Sequence, residues 1–430
     1  MKKIVYIAIA FVFALTSCIS DEKDLFNDSA ANRMSAALQE YKDVLTNTPN
    51  GWLMEYYAGF ETDPTGKMGG YIFLMSFDED LTVTIASEVF GIQPPKTKKE
   101  STFNLIADQG PILTFDTYNE IFHIFSEPSQ SDLDGYGGDY EFVIMSANPN
   151  EVILKGRRNE NRIVMTPLPV NTTWDEYIDN TATLKRKINF PMFDVIINDS
   201  PSDYQVTLDP FRNYLEVAGG AFSRGNNCTY SPIGINLYKP IKVGEYNIES
   251  LIWEEAKGQF TTTVDGATII LKGFYPEGYS FYDDYIGSYS IQYQNALNLT
   301  VSKRCTIVEL DKSAGTFLIK GLSAKDWVAN YNILTGGLSI SSQDLLTPQT
   351  QEEYFLFNIM GEGAGMYISD QYKYEGSLDE EGFIVFKSNP SDPSFLGFGV
   401  LFIHTFEDGS QGLAFQSEND IYQNLVMRKR

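Results

Sequence analysis

The fold is decided by the stretch YIFLMSFDEDLTVTIAS, residues 71–87. Two runs rich in aromatic and β-branched residues, Tyr71–Phe77 and Thr82–Ser87, flank a short acidic connection. Runs of this composition between turn residues are typical of β-strands, and so short a connection favours antiparallel pairing. The stretch therefore predicts a β-hairpin.

The same pattern continues on both sides of this hairpin. Further strands are predicted at Trp52–Tyr57, Thr102–Ile106, Ile112–Tyr118, Tyr140–Ser146, Glu151–Lys155 and Arg162–Thr166. Successive strands joined by tight turns predict an antiparallel meander. Because the edge strands of such a sheet must be hidden, closure into a small barrel or a curled sandwich is expected.

The length of 430 residues indicates two or three domains. We expect an N-terminal β domain at 49–170 and a C-terminal, barrel-like β domain at 278–430. Between them, 171–277 opens with a helix or linker at Thr172–Lys187 and continues as strands. This middle β region is either part of the first domain or a domain of its own. The predicted fold class is mainly β, with antiparallel meanders forming barrel-like or sandwich-like domains and one N-terminal amphipathic helix.

That helix is predicted within the segment 18–48. Its apolar residues recur at helical spacing along one face, and Asp28 or Ser29 can cap its start. Pro49 and the glycine that follows end it. The stripe is expected to dock on the first β domain, and it comprises Ala30, Met34, Ala37, Leu38, Tyr41, Val44 and Leu45.

The first 17 residues have the features of a secretory signal. Lys2 and Lys3 precede an apolar run, Ile4 to Leu15, that is shorter than the roughly 20 residues of a membrane-spanning helix. The run ends in Leu-Thr-Ser-Cys, which resembles the lipobox of bacterial lipoproteins. Cys18 is therefore the predicted lipidation site and first residue of the mature chain, which would be held at a membrane through its lipid.

Composition excludes one class of function. The formal net charge is -25, from 57 acidic and 32 basic residues, so most of the surface repels polyphosphates. We expect no nucleic-acid binding. Hydrophobic residues make up 43% of the chain, which is enough for packed cores.

No residue is identified as catalytic or cofactor-binding. The chain has two histidines, His123 and His404, and both are interpreted as strand residues without catalytic duty. No nucleophile-elbow or zinc-protease motif occurs. Cys228 and Cys305 either pair or remain buried thiols, and sequence alone does not decide between these states.

One segment has the composition of a calcium loop. Asp132, Asp134, Asp139 and Glu141 gather oxygen ligands around glycines, although their spacing departs from the EF-hand pattern. The alternative is a glycine-rich turn leading into a strand. Calcium is the one cofactor that the sequence suggests, and these four residues are its candidate ligands.

Aromatic residues form a surplus, with 26 Tyr, 29 Phe and 4 Trp. Most are expected to pack across strands. Tyr275, Tyr279, Tyr282 and Tyr285 fall together in a predicted loop, where their rings could face a sugar or a peptide. They are the candidate ligand-binding residues.

Several motifs resemble a family of Bacteroidota lipoproteins, the domain-of-unknown-function family 4302. The resemblance covers chiefly residues 18 to 170. It implies a location beside SusC/SusD-like uptake systems and transfers no catalytic residue. The acidic residues after Cys18 likewise resemble the surface-export signal of that phylum, the alternative being a plain tether facing the periplasm. The motifs are Pro49–Trp52, Glu55–Tyr57, Gly69–Tyr71, Asp108–Pro111, Phe115–Asn119 and Gly137–Phe142.

Three functions remain open. The leading hypothesis is a non-enzymatic, surface-facing outer-membrane lipoprotein that binds a glycan or peptide for an uptake system, in complex with a TonB-dependent transporter. The second is a hydrolase that uses paired carboxylates on glycans. The third is an adhesin or fimbrial subunit joined to its neighbours by strand addition.

Overall fold

The computed structural model describes residues 29–59, 69–88, 96–128, 135–210, 212–219, 222–312, 314–323, 325–345, 352–361, 365–367, 371–405, 411–415 and 421–430. The signal segment, Cys18, Asp132 and Asp134 lie outside these residues, so their predicted roles remain predictions. Among the helices described, none is both long and apolar enough to cross a bilayer.

Helix α1 spans Ala30–Thr46 and begins where the sequence predicts it. Ser29 is the residue that caps it, because its side-chain oxygen accepts a hydrogen bond of 3.1 Å from the Asn32 N–H. The C-terminal half of the predicted stripe docks on the first barrel. Leu45 is buried in the barrel core, and Tyr41 and Val44 pack against it.

The first eight strands close into an antiparallel barrel. Closure joins the first strand to the last, with Trp52 opposite Pro167 and Met54 opposite Met165. These strands are β1 Trp52–Tyr57, β2 Gly70–Phe77, β3 Thr82–Ser87, β4 Lys99–Ala107, β5 Pro111–Phe115, β6 Glu141–Asn148, β7 Glu151–Gly156 and β8 Arg162–Pro167.

Large side chains fill the inside of this first barrel. Trp52, Phe73 and Met75 are fully buried in one apolar cluster. The connection between β5 and β6 folds into one end, where Phe122 packs 4.2 Å from Phe115 between ring centroids. A barrel of eight strands is narrow enough for side chains to fill it, so its interior is a packed core.

Helix α2, Trp174–Lys187, leads into a second closed barrel. Its first and last strands pair, with Ile197 opposite Ile269 and Met192 opposite Phe274. The middle region thus forms a barrel of its own. Its strands are β9 Met192–Ile197, β10 Ser200–Asp209, β11 Tyr214–Gly219, β12 Phe222–Tyr230, β13 Gly234–Val243, β14 Tyr246–Glu254, β15 Gln259–Val264 and β16 Ala267–Phe274.

The remaining strands belong to one 14-stranded sheet. They are β17 Gly287–Gln294, β18 Thr300–Asp311, β19 Thr316–Lys320, β20 Trp327–Asn332, β21 Gly337–Ser341, β22 Gln343–Leu345, β23 Glu352–Met360, β24 Gly365–Tyr367, β25 Lys373–Gly376, β26 Phe383–Val385, β27 Lys387–Asn389, β28 Phe395–Thr405, β29 Gln411–Phe415 and β30 Ile421–Lys429.

This third sheet curls back on itself. Strand β26 pairs with β30, but it also lies close to β25. A Cβ atom added at Gly376 of β25 would lie only 2.9 Å from the carbonyl oxygen of Val385 in β26. The curl encloses a large apolar cluster that includes Trp327 and Tyr422. Together with the two closed barrels, this confirms the predicted fold class: mainly β, antiparallel, with one N-terminal helix.

The two cysteines described do not pair. Cys228 is buried in the core of the second barrel and Cys305 in the core of the third sheet, and both are free thiols. Burial raises the pKa of each thiol to about 12. Both therefore stay protonated at neutral pH and act as small apolar core residues.

Candidate functional site

Two of the four candidate tyrosines belong to an aromatic surface after the second barrel, which we call the junction patch. It consists of Phe190, Tyr275, Tyr279 and Phe281. The Tyr275 ring centroid lies 5.0 Å from Phe190, 5.0 Å from Tyr279 and 4.9 Å from Phe281. Phe281 is 49% exposed. The patch thus offers apolar ring surface to solvent where the chain passes from β16 to β17.

The junction patch is fixed by hydrogen bonds to the third sheet. The Tyr279 hydroxyl donates a 2.7 Å hydrogen bond to the Ile333 carbonyl and accepts one of 2.9 Å from the Tyr331 hydroxyl. Gly278 has a φ of +73°, which forms the turn that carries the chain from Tyr275 to Phe281. Fixed rings lose little conformational entropy when a ligand stacks on them.

Tyr282 and Tyr285 are not surface residues, and this part of the sequence prediction was wrong. Tyr282 stacks on Phe317 at 4.0 Å between centroids and is 7% exposed, while Tyr285 is fully buried. Their hydroxyls donate to backbone carbonyls of Thr316 and Gly336, at 2.7 and 2.6 Å. Tyrosine can be buried this way because each hydroxyl has found an acceptor.

Asp139, a candidate calcium ligand, has its carboxylate turned to the protein backbone. It accepts hydrogen bonds from the N–H groups of Arg158 at 2.8 Å and of Asn159 at 3.1 Å. Burial raises the pKa of this carboxyl, and the two N–H groups oppose that rise. Asp139 thereby fixes the turn between β7 and β8.

Glu141, the other described candidate ligand, forms an ion pair. Its carboxylate lies 3.0 Å from Arg157, which also contacts Asp108. In the described part of the chain, no three acidic, histidine or cysteine side chains are grouped as metal ligands. Because Asp132 and Asp134 lie outside that part, the calcium site stays a prediction.

The two histidines lie in different surroundings. His404 falls within β28, as predicted. The strand prediction for His123 was wrong, because His123 begins a short 3-10 helix, His123–Phe125, in the connection that fills the end of the first barrel. The segment has a strand-like composition because Phe122 and Phe125 are buried in the barrel core, although neither residue belongs to a sheet.

Sequence reasoning missed a polar interface between the two barrels. Glu55 of β1 accepts hydrogen bonds from Thr229 of β12 at 2.8 Å and from Asn236 of β13 at 2.6 Å. The Tyr57 ring packs 4.7 Å from the Tyr238 ring. A carboxylate that accepts bonds from the other barrel fastens the two units through charge-assisted contacts.

A second part of that interface is centred on Lys185 of α2. Its Nζ donates a 2.6 Å hydrogen bond to Asn213, whose side-chain amide donates to the Gly70 carbonyl of the first barrel at 2.6 Å. Burial raises the pKa of Glu88 and lowers that of Lys185, and each charge partly offsets the shift of the other. Oε1 of Glu88 is buried without a hydrogen-bond partner among the described residues.

This interface has the perturbed pKa values that are common at active sites. Glu55 and Lys185, however, form hydrogen bonds with residues of the second barrel, and perturbed pKa values also arise in structural charge networks. No signal in the sequence could have found it, since Glu55, Glu88, Lys185 and Asn236 are far apart along the chain and each looks like an ordinary strand or helix residue.

Two family models match successive parts of the chain. Residues 22–255 match the family described as a domain of unknown function, DUF4302. Residues 262–392 match a second domain of unknown function, DUF4987. No curated protein matches the chain.

Two solved structures show distant similarity. One is a protein of unknown function from the DUF3598 family of Nostoc punctiforme, with 8% identity, a TM-score of 0.15 and coverage of 56% of this chain and 96% of that one. The other is transferrin binding protein B of Haemophilus parasuis, with 10% identity, a TM-score of 0.13 and coverage of 88% of this chain and 74% of that one.

The first family match covers more than half of the chain, including the whole first barrel and most of the second. The residues that carried the resemblance, from Pro49 to Phe142, all lie within it. The chain therefore belongs to the DUF4302 family.

Proposed function

We propose that this protein is a non-enzymatic, lipid-anchored binding protein that faces outward from a bacterial outer membrane and captures a neutral glycan for an uptake system. The observation that carries the proposal is the junction patch, in which the fixed rings of Tyr275 and Tyr279 flank the exposed ring of Phe281. The cell of origin would be a member of the Bacteroidota, and the partner a TonB-dependent transporter.

The chemistry of the junction patch favours a sugar. Flat, rigid aromatic faces suit the apolar C–H faces of a pyranose ring, while the hydroxyl of Tyr275 and the backbone around Gly278 supply polar contacts at the edge. The net charge of -25 repels polyanionic chains. A neutral oligosaccharide meets both conditions.

The proposed anchor rests on the sequence before α1. The lipobox would place acyl chains on Cys18, and the residues between it and Ser29 would tether the folded part. Helix α1 then meets the first barrel at Leu45, whose carbonyl accepts a 3.0 Å hydrogen bond from the Trp52 indole. A helix docked on a rigid barrel joins the tether to the folded part, which would be held at the membrane surface.

Ligand binding is tested with the full mature chain on an array of neutral and anionic glycans. We expect binding to neutral glycans, and Phe281→Ala should weaken it by about tenfold, the loss expected when a central aromatic contact is removed. Leu297→Ala is the matched control, since Leu297 is also an exposed apolar residue, at 61%, but lies at the β17–β18 turn. If no neutral glycan on the array is bound, or if the two variants bind equally well, the glycan assignment is refuted.

The anchor is tested separately by mass spectrometry of the mature protein. We expect the N-terminal residue to be an acylated Cys18, and Cys18→Ser should release the chain from the membrane fraction. An unacylated N-terminus at any other residue would contradict the location without bearing on the junction patch. Protease treatment of intact cells then separates an outward-facing protein, which is cleaved, from one that faces the periplasm.

A further inference from the structure

A second group of exposed rings lies on the first barrel, far along the sequence from the junction patch. We call it the aromatic row, and it consists of Tyr118, His123 and Tyr140. The His123 ring lies between the two tyrosines, 5.4 Å from Tyr118 and 5.5 Å from Tyr140 between centroids. Tyr118 is 61% exposed and Tyr140 is 49% exposed. Both outer tyrosines therefore present ring surface to solvent.

The aromatic row is rigid because its backbone is built into the barrel. Phe122 and Phe125, which flank His123, are buried in the barrel core. Asn119 closes the preceding turn, with its side-chain oxygen accepting a 3.0 Å bond from the Ile121 N–H and its backbone N–H donating at 3.1 Å to Nδ1 of His123. The Tyr140 carbonyl accepts a 3.0 Å bond from Phe115 of β5.

Electrostatics around the row favour a cation. The Tyr118 hydroxyl donates a hydrogen bond to the carboxylate of Glu127. Donation to a carboxylate makes the phenol ring more electron-rich, which deepens the negative potential on its face. The same hydrogen bond is the main reason that the pKa of Tyr118 rises to about 12, so the phenol stays neutral. The carboxylate of Glu120 is a second negative charge nearby, and its Oε1 lies 3.0 Å from Nζ of Lys99.

We propose that the aromatic row is a binding site for an organic ammonium ion. The ion would rest on the outer face of Tyr118 or of Tyr140 through a cation–π contact, with Glu127 as the counter-charge beside Tyr118. The overall charge of -25 would raise the local concentration of such cations. This site is independent of the glycan surface, since it belongs to a different barrel and a different ligand chemistry.

Other rings of this chain already hold cations in this way. Nζ of Lys185 lies 4.9 Å from the centroid of the Tyr230 ring, and Nζ of Lys325 lies 4.9 Å from that of Tyr354. Across the described residues, no lysine or arginine is placed over Tyr118 or Tyr140. Their outer faces are thus available to a cation from outside the chain.

The test is a ligand-observed NMR titration of the purified full chain with three probes. Choline represents a quaternary ammonium headgroup, n-butylammonium represents a lysine side chain, and 3,3-dimethylbutan-1-ol is the uncharged shape match of choline. We expect a dissociation constant in roughly the millimolar range for one or both cations. Binding of choline alone would identify a headgroup-like ligand, and preference for n-butylammonium a peptide lysine. Equal binding of the alcohol would overturn the proposal.

Variants locate the binding. Tyr140→Leu and Tyr118→Leu should each raise the dissociation constant about two- to fivefold, since each removes one cation–π face. Tyr140→Phe keeps the face and should bind as the native chain does, which controls for folding. Glu127→Gln should weaken binding of the two cations and leave binding of the alcohol unchanged. Cation binding that survives both leucine substitutions would overturn the assignment to this row, whatever the outcome at Phe281.

Discussion

At the scale of a single residue, Asp139 shows how a buried carboxylate can be structural. Removing it in Asp139→Ala leaves two backbone N–H groups at Arg158 and Asn159 without their acceptor. Because an unsatisfied buried donor costs desolvation energy, we expect the free energy of unfolding to fall by about 1–3 kcal/mol. Urea denaturation measures it. Glu141→Ala removes an exposed ion pair only and should change stability far less.

The pH dependence of Asp139 has a defined sign. Burial raises its pKa above the value in the unfolded chain. Between those two pKa values the folded chain binds the extra proton, so the contribution of Asp139 to stability declines as pH rises through that window. Asp139→Asn should flatten this part of the curve of unfolding free energy against pH. A variant curve with the native slope there would contradict the assignment.

At the scale of an element, α1 depends on its last turns. Leu45 is 2% exposed inside the first-barrel core, whereas Leu38, seven residues earlier on the same stripe, is half-buried. Leu45→Ala should lower the free energy of unfolding by about 2–4 kcal/mol, because it removes apolar contacts and leaves a cavity. Leu38→Ala serves as the matched control and should cost clearly less. Equal losses in urea denaturation would mean that the helix docks along its whole length.

Elements with a strong local pattern could be predicted from sequence. Strands β1 and β3 have the predicted bounds, and the C-terminal half of the stripe, which ends at Leu45, docks as expected. Alternation along a strand fixes which residues share a face, and it does so without knowledge of the partner strand. The predicted extension of β5 to Tyr118 failed because the chain leaves the sheet after Phe115 to fill the barrel end.

The candidate site was predictable only in part. Clustering of tyrosines pointed to Tyr275 and Tyr279, but no pattern separates them from Tyr282 and Tyr285, because exposure there depends on how the third sheet curls. The aromatic row likewise could not be predicted from the sequence. Tyr118 and Tyr140 come to lie on either side of His123 because β5 pairs with β6, and no local sequence pattern encodes the path of the connection between these strands.

At the scale of the whole molecule, Lys185 couples the two barrels. Lys185→Met would leave the buried carboxyl of Glu88 without the nearby positive charge that offsets its burial, and an uncompensated buried charge is destabilising. We expect a loss of about 2 kcal/mol or more at pH 8, measured by urea denaturation. Burial raises the pKa of Glu88, so protonation relieves the cost at acidic pH and the loss should be smaller at pH 5.

Two further measurements separate this coupling from simple packing. Adding Glu88→Gln to Lys185→Met removes the uncompensated charge and should restore part of the stability. Calorimetry of Lys185→Met should also broaden or split the unfolding transition, because the barrels would no longer unfold together. A loss that is the same at pH 5 and pH 8 would show that the ammonium charge has no part in joining the barrels.

The second barrel is closed, and this limits where the matched segment can be shortened. The matched region stops at residue 255, before β15 and β16. A gene fragment ending there would encode an open ring, with the flanks of β9 and β14 free to recruit strands from neighbouring molecules. A fragment of this chain that is meant to contain the closed second barrel must therefore extend past Phe274.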